Sequence, residues 1–432
     1  MKYFWLIASI LAAGSQPAYA RETSPEEILE GATSYTVKIK RVSNIGLNQD
    51  EGTSAHATGF LIDKARGWIL TNAHVASRSP ATLKVAFKGG QYVLARRVFV
   101  DQLLDVAVLS IKPETVPLRA TAASLECDAF PKVGTAVAVF GHPGDLSYTA
   151  TRGIISSISW VFPSEVIQSD ATINGGNSGG PLIDLSSGKV VGIAAASYRD
   201  TQDDHSTAVS MSEPIPPVCQ ILQLLRNGKN ASFRQFPVSY ATSEDDDRPI
   251  VGAVFEPASG LHVGDAIMAI NGRGDVRNTS DLASRLRGQE GRISVSVRRD
   301  GELLSLETTA SPMPDILESR SIDMSGLVLS TQWKIDSREF QHEQFPVIDF
   351  VRPGSPAEMT KAYAGYHVAS VDNQKFESLE NLFSYLEKKQ KGDVVSLILK
   401  APSDEGQFYR QYLSINIPLE SLNWINASSS NE

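Results

Sequence analysis

Short apolar stretches broken by polar, Gly and Pro positions run through most of the first half of the chain. From about residue 35 to 230 this pattern yields "SYTVKIKRV", "HATGFLID", "GWILTNAHV", "TLKVAF", "VLARRVFV", "VAVLSI", "TAVAVFGH", "TRGIISSIS", "PLIDL" and "VVGIAAASY". Val and Ile are frequent, Gly and Pro punctuate the segments, and helical periodicity is scarce. Short strands at this spacing predict an antiparallel barrel or sandwich. "PPVCQILQLLRNGK" then places apolar residues at helical spacing, with Lys and Gly as a C-terminal stop, so a helix closes a first domain spanning 35–230.

The second half changes character. "SFRQFPVSYATSEDDDRP" is polar and acidic and reads as a solvated linker over 231–248. A unit of strand, tight turn, short helix and strand then occurs twice, at 249–311 and 324–419, joined by a linker at 312–323 and followed by a tail at 420–432. Gly264 falls on Gly365 and Ile293 on Val394, an offset of 101, while Leu282 pairs with Leu382 at an offset of 100. The turns fall at Asn271-Gly272 and Asp372-Asn373.

The N-terminus adds a destination. Lys2 precedes "YFWLIASILAAG", and Ala18 and Ala20 in "SQPAYARET" give the small-x-small pattern of a signal-peptidase site. That apolar run falls short of the roughly 20 residues a helix needs to span a bilayer. A cleaved signal over 1–20 is expected, followed by an N-terminal segment at 21–34. With no other stretch apolar enough to cross, no stable membrane insertion is expected. An exported compartment permits a disulfide between Cys127 and Cys219, the alternative being two separately buried thiols. The formal net charge of −9, with no basic run, argues against nucleic acid as a partner.

Chemistry concentrates in "INGGNSGGPLID", where Ser178 sits among four glycines. Acyl transfer by serine needs a base, a carboxylate to orient it, and donors for the oxyanion. His74 in "ILTNAHVAS" follows an apolar strand, and Asp105 in "DQLLDVAVLSI" enters another, with Asp101 as its rival. The order His74, Asp105, Ser178, with spacings of 31 and 73 residues, is that of chymotrypsin-like double barrels. Glycines around Ser178 permit positive φ and let the Gly176 and Ser178 amides point at a developing oxyanion. His142 in "FGHPG" reads as a turn residue. His56, His205, His262, His342 and His367 share no ligand spacing, so no metal and no cofactor are expected.

"TNAHV", "LLDVAVL" and "GNSGGPL" resemble the three active-site motifs of the HtrA/Deg family of exported serine proteases, and "SDATIN" resembles its substrate-pocket loop. The two repeats resemble that family's C-terminal PDZ domains. The resemblance implies a mainly β chain: a chymotrypsin-like double β-barrel followed by two small α+β modules. It implies an ATP-independent endopeptidase acting on unfolded or damaged exported proteins, in which His74 is the general base, Asp105 its orienting group and Ser178 the nucleophile. Gly176 and Asn177, with Ser178, form the oxyanion loop. It also implies homotrimers through the protease domain. The family's long regulatory loop is cut here to at most "NIGLNQDEGTSAHA".

Pocket and module residues complete the expectations. Thr172, Ile173, Ala195 and Ala196 wall a substrate pocket without fixed charge. The first module lacks the x-Φ-Gly-Φ carboxylate loop (Φ apolar), whereas "DMSGLVL" in the second offers Ser325, Gly326, Leu327 and Val328 as a loop for apolar C-terminal peptides. The alternative function is a catalytically silent chaperone or PDZ scaffold that binds unfolded chains.

Overall fold

In the computed structural model the described residues are 23–47, 54–77, 79–143, 148–161, 164–198, 209–241, 247–313, 315–331, 333–335, 340–342, 346–401 and 412–427. The expected signal at 1–20, the middle of the shortened loop after Ile45, and Glu244 to Asp246 lie outside them.

The alternating segments close into two six-stranded barrels. The first is built from β1 (Thr36–Ser43), β2 (Ser54–Asp63), β3 (Trp68–Thr71), β4 (Ala81–Ala86), β5 (Val93–Asp101) and β6 (Val106–Ser110). They close in the order β1-β2-β3-β6-β5-β4. The second contains β7 (Ala136–Gly141), β8 (Thr149–Val161), β9 (Ser164–Ser169), β10 (Pro181–Asp184), β11 (Val190–Tyr198) and β12 (Val209–Pro214). Strand β6 is a continuous apolar run, and Val106 to Leu109 are wholly buried, as such a run requires.

Helices pack outside the barrels. The segment expected only as an N-terminal extension forms α1 (Pro25–Ala32), started by a capping box between Ser24 and Glu27 and by Pro at its first position. Its Ile28 and Ala32 join the first barrel's core. A single turn, α2 (Ala73–Ala76), follows β3. The predicted closing helix is α3 (Ile215–Arg226), which buries Ile215, Val218, Ile221 and Leu222 at helical spacing.

The first module begins earlier than the expected residue 249. A short ribbon pairs β13 (Arg234–Gln235) with β19 (Ser311–Pro312). A five-stranded sheet runs in order through β14 (Val238–Ala241), β15 (Ile250–Val254), β16 (Ala266–Ile270), β17 (Arg292–Arg299) and β18 (Glu302–Thr309), with α4 (Thr279–Leu286) against it. Phe233, Phe236, Val238 and Tyr240, read from sequence as linker, belong to its core. Alternation in "FPVSYA" is genuine, but only four strand residues precede the acidic run that obscured it.

The second module also outruns its expected ends. Its strands are β20 (Arg320–Met324), β21 (Leu327–Ser330), the ribbon β22 (Trp333–Ile335) and β23 (Phe340–His342), β24 (Val347–Val351), β25 (His367–Val371), β26 (Val394–Lys400), β27 (Tyr412–Pro418) and β28 (Leu422–Asn426). Seven of them form one sheet in the order β27-β26-β25-β24-β21-β20-β28, with α5 (Leu379–Leu386) packed on it. The stretch expected as a tail thus supplies an edge strand. Duplication shows in the details: Asn278 caps α4 as Ser378 caps α5. The turns at Asn271-Gly272 and Asp372-Asn373 are left-handed at all four positions.

Two features tie the barrels to chemistry of their surroundings. Cys127, on the segment joining the barrels, is bonded to Cys219 of α3 across 92 residues. Glu213, on β12 opposite Ile193, is 8% exposed, and its Oε2 has no hydrogen-bond partner among the described residues. Burial pushes its carboxyl well above the ordinary 4.5, and the negative charges of Asp105 and Asp101 add to the effect.

Both features make predictions for the stability of the chain. Cys127→Ser, or reduction, is expected to cost about 2–4 kcal/mol by releasing the closed loop in the unfolded chain, read from denaturant midpoints. For Glu213, the native state keeps a proton that the unfolded chain releases near 4.5. Its stabilising share is therefore intact below that pH and lost as pH rises through the raised native value. Glu213→Gln should melt with its parent in acid and increasingly above it in alkali. Parallel melting curves across that range would contradict the assignment.

Candidate active site

His74 is the second residue of α2, a turn held against the first barrel by buried Ala73, Val75 and Ala76. Asp105 ends the turn between β5 and β6 in a left-handed conformation, φ 47°. One carboxylate oxygen pairs with His74 Nδ1 at 2.7 Å, and the other accepts the His74 amide at 2.9 Å. Asn72 Nδ2 donates to the Asp105 carbonyl at 2.9 Å. Three bonds thus fix the imidazole's orientation and leave Nε2 outside the pair. Arg41 Nη1 donates to the His74 carbonyl at 3.1 Å and Arg97 Nε to Ala76 at 2.9 Å, completing the shelf beneath the ring. Asp101, the rival carboxylate, is buried and bonds its own turn, away from the imidazole.

Ser178 lies on a turn of the second barrel clamped from two sides. Thr58 of β2 donates its amide to the Ser178 carbonyl at 2.9 Å and its hydroxyl to the Gly176 carbonyl at 2.6 Å. Opposite, Gly179 and Ala194 of β11 are joined at 2.8 Å. Gly179 has φ 83°, and a Cβ there would stand 2.0 Å from Thr71 Oγ1, three residues before His74. That glycine is required by close approach of the two barrels. Gly176, φ 102°, is the one that shapes the turn for donors.

Among the described residues, the amides of Gly176 and Ser178 donate to nothing. Asn177 differs from its expected neighbours in the oxyanion loop: its amide bonds Asn174 at 3.0 Å and its side chain is buried. It shapes the turn rather than offering a donor. Ser178 Oγ donates to the Ala195 carbonyl at 2.9 Å, and no hydrogen bond joins it to His74. Ala195 is free to accept because β11 bulges between Ala194 and Ala196, which takes that residue out of the ladder with β12.

The pocket residues divide. Thr172 is exposed, while Ile173 is buried in the second barrel's core with its amide on Ser210 Oγ at 3.1 Å. Ala195 is buried beside the serine, and Ala196 continues β11. His142 stacks edge-on against Tyr148 and accepts its amide, a turn role as read from sequence. Among the described residues no cluster of His, Cys, Asp or Glu could hold a metal. Sequence reasoning missed Thr58, whose "ATGF" context carries no signal beyond an alternating strand, and Glu213, whose burial no local pattern reveals.

The expected peptide loop of the second module is corrected by its hydrogen bonding. Ser325 and Gly326, φ 51° and 88°, form the two-residue turn between β20 and β21. The Ser325 amide donates to Ser421 at 2.9 Å and the Gly326 amide to Asp323 Oδ1 at 2.9 Å, so neither can receive a carboxylate. Leu327 and Val328 are buried, and β21 is paired on both sides, by β20 and β24. No strand edge is open there for a peptide to extend.

Comparison with known proteins agrees with this geometry. Residues 57–193 match the trypsin-like peptidase domain. The chain is 33% identical over 282 residues to a probable periplasmic serine endoprotease, DegP-like, of Halomonas elongata, spanning 60% of this chain and 56% of that one. It is 32% identical over 320 residues to the chloroplastic protease Do-like 1 of Arabidopsis thaliana, 65% of this chain and 70% of that one. Among solved structures, the serine endoprotease from Yersinia pestis is 25% identical with a TM-score of 0.51, covering 68% of this chain and 99% of that one. The HtrA-type protease AlgW with tripeptide superposes with a TM-score of 0.55 at 24% identity, covering 67% and 98%. With its two barrels, its histidine–aspartate pair and a relative matched over most of its length, the chain belongs to the HtrA/Deg family of serine endoproteases.

Proposed function

We propose that the chain is an ATP-independent endopeptidase that cuts unfolded or damaged polypeptides in the periplasm, using His74, Asp105 and Ser178 as its triad. The His74–Asp105 pair carries this reading, next to a serine turn whose Gly176 and Ser178 amides are unengaged. The leader-like residues 1–20 and the periplasmic name of the Halomonas relative support the location. Assembly as a homotrimer, typical of the family, is part of the proposal.

The reaction begins with a rotation. Ser178 Oγ leaves Ala195 for His74 Nε2, a change of one side-chain torsion between staggered wells. His74 then takes the hydroxyl proton as Oγ attacks the scissile carbonyl, and Asp105 stabilises the imidazolium without itself taking the proton. The tetrahedral oxygen turns to the Gly176 and Ser178 amides, each such donor being worth ~10²–10³ in turnover. His74 returns the proton to the leaving amine, and water repeats the sequence on the acyl-enzyme. Unfolded chains enter as extended segments along the cleft rather than by their C-termini on the second module.

Ser178→Ala and His74→Ala should each lower turnover of casein by ~10⁴-fold or more, and Asp105→Asn by ~10⁴, with circular dichroism unchanged. Near wild-type turnover in any of the three would remove the mechanism. Thr172, Ile173, Ala195 and Ala196, the residues expected to form the pocket, carry no charge, so cleavage should follow Val, Ala or Ile. A cleavage map dominated by Lys and Arg would contradict the pocket.

A further inference from the structure

The turn that carries Asp105 is gripped by another domain. Asp101, the last residue of β5, accepts the amides of Leu103 and Leu104 on one oxygen, at 3.0 and 3.1 Å. Its other oxygen meets Arg287 Nη2 at 2.7 Å, with the two side chains 3% and 2% exposed. Arg287 stands at the end of α4 in the first module, and its Nη1 donates to the Ala231 carbonyl. Leu103 is counted in that module's own core, and with Leu104 it lines a cleft against Phe233, Tyr240, Ala283 and Leu286.

The module is placed to hold this grip. The end of α4 bonds to α3 of the protease through Gln220 Nε2 and the Ser284 carbonyl at 2.8 Å. Strand β14, which supplies Tyr240, is an edge of its sheet, so this module has an open edge and an apolar cleft beside a helix. The cleft takes two leucines from the protease's own catalytic turn. A buried ion pair of this kind is costly to break from one side, because the surviving charge stays desolvated.

We propose that Arg287 is a positioning residue for peptide hydrolysis: through Asp101 it fixes the β5–β6 turn that presents Asp105 to His74. The role rests on the triad reading above. Arg287 is the cation that balances Asp101, and without it the carboxylate loses the partner that holds the turn.

The test uses the full chain and steady-state cleavage of an unfolded protein, with labelling of Ser178 by a fluorophosphonate as a second readout. Arg287→Met should lower kcat by up to ~10²-fold, the scale of loss from a misplacement of ~1 Å, with KM little changed. Adding Asp101→Asn removes the stranded carboxylate and should recover part of kcat. Asp101→Asn alone keeps an acceptor for the two leucine amides but loses the ion pair, and it should lower kcat in the same direction with KM little changed. That variant decides the matter if Arg287→Met does not fold. A wild-type kcat and labelling rate in Arg287→Met, or in Asp101→Asn where the first does not fold, would overturn the role while leaving the triad intact. Activity surviving Ser178→Ala would instead remove the triad itself.

Discussion

A nucleophile on one barrel and its base on another can work together only if the seam between them holds their separation within a fraction of an ångström. In this chain the seam is built around Thr58. Fully buried, it uses its amide on the Ser178 carbonyl and its hydroxyl on the Gly176 carbonyl, while its own carbonyl accepts from Thr71, three residues before His74. Its hydroxyl also accepts the amide of His142. Its amide and hydroxyl are spent on joining the barrels, and its carbonyl ties it to the strand that leads into His74, so both halves of the site hang on one small residue. The glycines of "GNSGG" serve this seam too: at Gly179 any side chain would collide with Thr71.

Much of this was legible in the sequence, and the limits have a common cause. Short apolar segments and a fixed motif order are local, so a barrel architecture, α3, the histidine–aspartate pair and the serine turn could be anticipated. The bulge that turns the Ala195 carbonyl toward Ser178 could not, because it depends on the register of β11 against β12. Glu213 reads as one more polar strand residue until its neighbours, Asp101 and Asp105, are brought beside it from more than a hundred residues away. Val238–Ala241 reads as linker in the sequence because its pairing partner lies beyond the acidic run.

The two modules show how a motif can mark a conformation without marking its use. Ser325-Gly326 does adopt positive φ, as a glycine loop should. What it does with its amides is decided by Asp323 and Ser421, which claim both. In the first module no glycine loop announces itself, yet the edge strand and cleft are there, filled by Leu103 and Leu104. Recognition in a sheet depends on which edges are left unpaired, and that is a property of the whole strand order rather than of any one turn.

Arg97 gives the architecture a direction in time. Its guanidinium holds three carbonyls: Ala76 on the histidine-bearing helix, Ser79 just beyond it, and Ala427, 330 residues along the chain. The first two are available as soon as the first barrel closes. The third exists only after the ribosome has passed residue 427 and β28 has added itself beside β20. Synthesis runs from the N-terminus, so a nascent chain carries His74, Asp105 and Ser178 long before it carries Ala427. The last residue to take its place in the described chain is therefore anchored on the arginine that supports one of the first.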